Sequence, residues 1–107
     1  MAKATATAVE SVGRRSLIVP LDQRDPVAID TAVETVAREF GRLDILINNA
    51  AWNIGIPFKA LDALTADIWD RVLETNLRGP YLLARACAPH LRAQGAGRIV
   101  NIASVGG

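Results

Sequence analysis

The chain has 107 residues, half of them apolar, with a positive mean hydropathy; this suits one small domain with a core and excludes a disordered chain. A net charge of +1 gives no electrostatic footprint for nucleic acid or an anionic membrane, and no apolar run is long enough to span a bilayer. The single cysteine, Cys87, excludes an internal disulfide framework and a cysteine-based metal site, which fits a reducing, cytoplasmic setting.

Met1 to Val12 is rich in alanine and threonine and reads as the tail of a helix that ends at Gly13. Ser16-Leu17-Ile18-Val19-Pro20-Leu21 is a strand candidate, and Pro20, which has no N–H to donate, places it at a sheet edge. Asp25 is expected to cap a helix with Pro26 in its first position. Ile29, Val33, Val36 and Phe40 then recur on one face, joined by Ala32 and Ala37, and Gly41 closes the helix.

Leu43-Asp44-Ile45-Leu46-Ile47-Asn48-Asn49-Ala50-Ala51 follows at once. Its short run of isoleucine and leucine reads as a buried parallel strand, although periodicity alone leaves a piece of buried helix open. The run stops at two asparagines and two small residues. Asparagine tolerates unusual backbone angles and offers donors and acceptors, while alanines let a flat ligand approach the main chain. An ordinary Asx turn explains the same four residues.

Trp52 to Leu64 forms a loop too long for a simple turn. Thr65 caps a long helix, with Asp67 in its first turn where a negative charge suits the helix dipole. Ile68, Val72, Leu73, Leu77, Leu82 and Leu83 supply its apolar face, Pro80 and Pro89 fall inside it, and Gly95-Ala96-Gly97 ends it. Arg98 to Ala103 is a further strand, with Ser104 at its carboxyl end. Strands alternating with helices imply βαβ units and a parallel sheet. Asp22, Asn48 to Ala51 and Ser104 then share one edge, where α/β proteins bind ligands.

In this order the pieces resemble a short-chain dehydrogenase/reductase over nearly the whole chain. They are Val19-Pro20-Leu21-Asp22, Phe40-Gly41-Arg42-Leu43-Asp44-Ile45-Leu46-Ile47-Asn48-Asn49-Ala50, Glu74-Thr75-Asn76-Leu77-Arg78-Gly79 and Gly97-Arg98-Ile99-Val100-Asn101-Ile102-Ala103-Ser104. The resemblance implies an α/β fold: a partial Rossmann-type doubly wound parallel sheet of about three strands and two full helices, with residues 1–107 forming part of an NAD(P)-binding domain. It implies hydride transfer between the nicotinamide of NAD or NADP and a small-molecule carbonyl or secondary alcohol. It also implies homo-oligomers packed through the long helix 66–94.

By the same resemblance, Asp22 matches the acid that accepts a hydrogen bond from the adenine amino group. Gln23 matches the next position, whose main chain touches adenine. Asn49, Ala50 and Ala51 match the turn against the adenosine ribose; Ala51 replaces the family's glycine there, and its methyl group is expected to crowd the ribose slightly. Ser104 matches the serine that orients the substrate carbonyl. Asn76 matches the asparagine whose main-chain carbonyl holds a water in a proton relay. Helix geometry is compatible with that role: in an α-helix residue 80 donates to the carbonyl of residue 76, and Pro80 has no N–H, which leaves that carbonyl free for a water. An ordinary proline kink explains the same residues, and Ser104 nearby in the expected fold favours the relay.

Within these 107 residues there is no strand, glycine-rich turn and helix for the pyrophosphate, and no Tyr-x-x-x-Lys beyond Ser104. Tyr81-Leu82-Leu83-Ala84-Arg85 mimics that spacing on another helix, and Tyr81 is expected to pack as a core aromatic. The expectation is an internal fragment of a dehydrogenase, or a truncated gene product, inactive by itself. The rival is a non-catalytic binding or assembly module derived from the same fold. The family's strand order also leaves a gap between Leu17–Leu21 and Leu43–Asn48, to be closed by new pairing or left open. His90 reads as a solvated helix-end residue, Cys87 as small packing, Trp69 as a helix-face anchor, and Trp52 equally as pocket border or loop packing.

Overall fold

The computed structural model describes residues 1–104. Helix α1 spans Ala2–Ser11, buries none of its side chains and ends in a turn at Gly13, whose φ of 81° only glycine adopts freely. Helix α2 spans Pro26–Phe40. The Asp25 carboxylate accepts hydrogen bonds from the Val27 and Ala28 N–H groups at 3.0 and 3.3 Å, Pro26 occupies the first turn, and Gly41 terminates the helix at φ 77°. Both ends are therefore satisfied locally, as the sequence predicts.

Strand β1 covers Ile45–Asn48 and pairs in parallel with β2, Arg98–Asn101, placing Ile45 opposite Arg98 and Asn48 opposite Asn101. These are the two strands of the sheet among the described residues. Ser16–Leu21 carries no ladder, and the gap beside β1 stays open. A β-prone sequence supplies only half of each ladder hydrogen bond, and no described strand lies within reach to supply the other half. Pro20 removes one donor besides.

Between the strands the chain crosses over through a short 3₁₀ segment, Phe58–Ala63, inside the expected loop, and then the long helix. That helix is not uniform. An α-helix α3, Ala66–Leu73, is capped by the Thr65 hydroxyl, which accepts from the Ile68 N–H at 3.3 Å. A π turn follows over Glu74–Arg78, and α4 runs from Gly79 to Ala93. In the π turn the Gly79 N–H donates to the Glu74 carbonyl, five residues back. The register around Pro80 is thus one residue longer than an α-helix gives.

The core lies between α2, α4 and one face of the sheet. Val33, Cys87 and Leu91 form its centre, with Leu43, Leu46, Leu83 and Ala86 packed against them, and Ile29 is almost wholly buried. The alternating residues Ile45 and Ile47 point to the other face, which no described element covers, and remain about 60% exposed. Three sequence expectations change here. Tyr81 is not a core aromatic but 59% exposed, because α4 presents Leu82, Cys87 and Leu91 inward instead. Trp69 is not a buried anchor but 55% exposed, on the wall of a groove between α3 and the loop before it. His90 is half-buried rather than solvated, with Nε2 at 4.0 Å from a Glu34 carboxylate oxygen.

Candidate functional site

Because β1 and β2 run parallel, their carboxyl ends open on the same side. Asn49, Ala50 and Ala51 leave β1 there, and Ile102, Ala103 and Ser104 leave β2. With Asn48, Asn76, Pro80, Tyr81 and Asn101 they line one cleft of about 750 Å³. Five predicted site residues, Asn49, Ala50, Ala51, Asn76 and Ser104, therefore meet in one place. Asp22 and Gln23 do not line it. A second groove of about 500 Å³, between Asn53–Leu64 and α3, is lined by Ile54, Ile56, Phe58, Trp69 and Val72 and lies away from the strand ends.

The floor of the cleft is tied together across the sheet. The Asn48 amide Nδ2 donates to Asn101 Oδ1 at 2.8 Å, joining residues in register, while the buried Asn48 Oδ1 has no partner among the described residues. Asn76 is held by its side chain. Its Oδ1 accepts from the Trp52 N–H, and its Nδ2 donates to the Trp52 carbonyl, both at 2.8 Å. This reciprocal pair pins the start of the long loop to the π turn. The Arg71 guanidinium lies 4.0 Å from the centre of the Trp52 ring and stacks on the indole.

The π register changes the reasoning about Pro80. Counting five residues back, the donor that Pro80 lacks falls on Thr75 rather than on Asn76. The Thr75 carbonyl accepts instead from the side-chain amide of Gln23, which also donates to the Ala50 carbonyl at 3.3 Å. The sequence reading assigned Gln23 a main-chain contact only and missed this side-chain bridge. Gly79 was the available signal. A Cβ there would lie 3.0 Å from both Gln23 Cγ and its carbonyl oxygen, so a buried glycine marks where the Gln23 segment meets the helix.

Asp22 is engaged by its own neighbour. Its Oδ1 accepts from the Arg24 N–H at 3.0 Å and Nε at 3.1 Å, and its Oδ2 accepts from Arg24 Nη2 at 2.9 Å. These hydrogen bonds, and then the charge of the guanidinium, hold the carboxyl down at a pKa of about 2. An ionised carboxylate offers about four lone-pair sites, so the grip of Arg24 still leaves acceptor capacity for an amino group. The loop is tied on again by Arg78, whose Nη2 donates to the Arg24 carbonyl at 2.9 Å.

Among the described residues no ionised side chain lines the cleft, and the side chains of Ala50 and Ala51 are small. That surface suits the neutral, flat parts of a dinucleotide, the rings and riboses; it provides no cation for the phosphates. Among the described residues no group of three His, Cys, Asp or Glu side chains could hold a metal, and no helix is long and apolar enough to cross a membrane.

Parallel strands joined by crossover helices, with a neutral cleft at their carboxyl ends, define an α/β protein of the Rossmann type. The family model for short chain dehydrogenases matches residues 1–107, and the chain belongs to that family. It is 37% identical over 103 residues to the short-chain reductase protein NovJ of Streptomyces niveus, covering 96% of this chain and 38% of that protein. It is 38% identical over 109 aligned positions to galactitol 2-dehydrogenase of Agrobacterium fabrum, covering 100% of this chain and 41% of that one. The chain therefore spans about two-fifths of the length of these relatives. Among solved structures, a short-chain dehydrogenase from Burkholderia cenocepacia in complex with NADP superposes with a TM-score of 0.84 at 37% identity, over 97% of this chain and 40% of that one. A metagenomic short-chain oxidoreductase in complex with NADP gives a TM-score of 0.86 at 32% identity, over 97% and 46%.

Proposed function

We propose that the chain forms part of the NAD(P)-binding domain of a cytoplasmic oxidoreductase that moves hydride between a nicotinamide cofactor and a small-molecule carbonyl or secondary alcohol. The observation that carries this reading is the gathering of Asn49, Ala50, Ala51, Asn76 and Ser104 around one neutral cleft at the carboxyl ends of β1 and β2. Asn49, Ala50 and Ala51 receive the adenosine ribose, and Asp22 accepts from the adenine amino group with its remaining lone pairs. The Ser104 hydroxyl donates a hydrogen bond to the substrate oxygen and orients it. Asn76 fixes Trp52 through its side chain, and its main-chain carbonyl is the acceptor assigned to a relay water. The bound nicotinamide supplies or accepts the hydride. NovJ and galactitol 2-dehydrogenase carry reductase and dehydrogenase names, and two structural relatives hold NADP, which supports an oxidoreductase and leaves the preference between NAD and NADP open.

Titrating the ¹⁵N-labelled chain with NADH and with NADPH tests the reading. Amide shifts concentrated at residues 49–51 and at Ser104 are expected, and they should weaken on Asp22→Ala. Shifts confined to other surfaces, or none at millimolar cofactor, would refute it.

A specific feature favours assembly through helix 66–94 as a second element of the proposal. Trp69, Leu73, Leu77 and Tyr81 recur every four residues along it and are 38–68% exposed. Such a stripe fits a second helix of the same kind. Sedimentation of the chain should show a dimer that Leu77→Glu converts to monomer; a wild-type monomer at high micromolar concentration would remove this element.

A further inference from the structure

The Gln23 side chain makes contacts that a main-chain role toward a cofactor does not need. We propose that Gln23 is a positioning residue: its side-chain amide clamps the turn after β1 to the π turn of the long helix, and so fixes the width of the cleft between Ala50 and Asn76. Each hydrogen of the amide meets a different carbonyl, Ala50 on one side and Thr75 on the other. The amide orientation is settled by chemistry, because the reversed rotamer would put an oxygen against two carbonyl oxygens.

Three features of the chain converge on this amide. Pro80 withholds the backbone donor that the π register would send to Thr75, which leaves a carbonyl to be satisfied from outside the helix. Gly79 clears the space, since a Cβ would lie 3.2 Å from Gln23 Nε2 and 3.0 Å from its Cγ. Arg78 holds the next residue of the loop through the Arg24 carbonyl at 2.9 Å. The amide therefore stands in for a missing helical hydrogen bond and spends its second proton on the turn that borders the cleft. Leucine fills nearly the same volume and donates nothing. Glutamate at neutral pH carries acceptors only, so it would face both carbonyls with repulsion.

The consequence for cofactor positioning rests on the function proposed above; the clamp does not, and it can be read without any ligand. In the ¹³C,¹⁵N-labelled chain, Gln23→Leu should move the Ala50 and Thr75 carbonyl carbons upfield together, while those of Ala28 and Ala86 stay in place. Gln23→Glu should do the same at pH 7. It should recover one of the two shifts as the pH falls below roughly 4.3, the ordinary glutamate value, when the acid regains a single donor. A side chain that merely filled space would show neither the paired shift with leucine nor the recovery with acid. Should the variants fail to fold, the wild-type Gln23 side-chain NH₂ remains a direct readout, and its protons should exchange several-fold more slowly than those of Gln94. Unchanged carbonyl shifts in Gln23→Leu, or Gln23 amide protons that exchange as fast as those of Gln94, would overturn the proposal. A chain that binds no dinucleotide yet shows the paired shift would refute the functional reading and leave the clamp standing.

Discussion

Gly97 begins the approach to β2 and lies against the buried Leu91 of α4. A Cβ on it would sit 2.6 Å from Leu91 Cβ and 3.0 Å from both the Leu91 Cα and carbonyl oxygen. Carbon atoms in contact sit about 3.5–4.0 Å apart, so Gly97→Ala demands a displacement of roughly 1 Å. Two of the three atoms it meets are main chain, and a change of rotamer cannot relieve them. Either β2 moves away from α4 or Leu91 is driven out of the cluster with Val33 and Cys87. Overpacking of this kind costs about 1–3 kcal/mol. With a urea slope of ~2 kcal/mol per molar, a cost of ~2 kcal/mol lowers the midpoint by ~1 M. Gly55→Ala is the control, because its Cβ would meet nothing within 4 Å and its φ is ordinary. Gly95→Ala separates the other mechanism: its space is empty but its φ is +73°, so it should lose about 1–2 kcal/mol through backbone strain alone. Urea denaturation followed by far-ultraviolet circular dichroism measures all three. A Gly97→Ala midpoint indistinguishable from that of Gly55→Ala would refute the reasoning.

The Asp22 carboxyl should titrate near pH 2 when followed by its ¹³C shift, and Arg24→Ala should return it toward 3.8. A carboxyl held below its unfolded value adds stability that is complete above about pH 3.8 and is lost as the pH falls through 2, so the wild-type loop should keep its Arg24 contact at pH 3. A wild-type midpoint near 3.8 would contradict the bidentate geometry. Cys87 is 2% exposed and its thiol is pushed up by burial, so a disulfide reagent at pH 8 should modify it only as fast as the chain opens and much faster in urea. Native-state modification at the rate of a free cysteine would show that the α2–α4 core is loose.

The sequence made α2 fully legible, because its signals are local: Asp25, Pro26 and Gly41 act within a turn of themselves. The turn of Asn49, Ala50 and Ala51, and Ser104 beyond β2, were legible through order and spacing, since parallel strands bring their carboxyl ends together without any further information. Ser16–Leu21 misled for the opposite reason. Strand propensity belongs to a segment, but a ladder belongs to two, and no described partner lies beside this one. The contacts of Gln23 were out of reach because Ala50 and Thr75 lie 27 and 52 residues away, and only the π turn turns the Thr75 carbonyl into an acceptor in need. Asp22 was recognised as an acceptor, yet its capture by Arg24 depends on a side-chain fold-back that a two-residue spacing permits without requiring.

The π turn at Glu74–Arg78 also makes the long helix sensitive to arithmetic rather than to chemistry. Ahead of it, α3 addresses the loop that starts at Trp52; behind it, α4 addresses α2 and the sheet. The wide turn sets the phase between these two faces. Removing one residue, Leu77 for instance, would let the segment close as plain α-helix and would rotate everything after it by about 100°. Leu82, Cys87 and Leu91 would swing off α2, while composition, charge and apolar content would hardly change. In this segment a substitution is a local event, whereas a one-codon deletion re-aims everything that follows it.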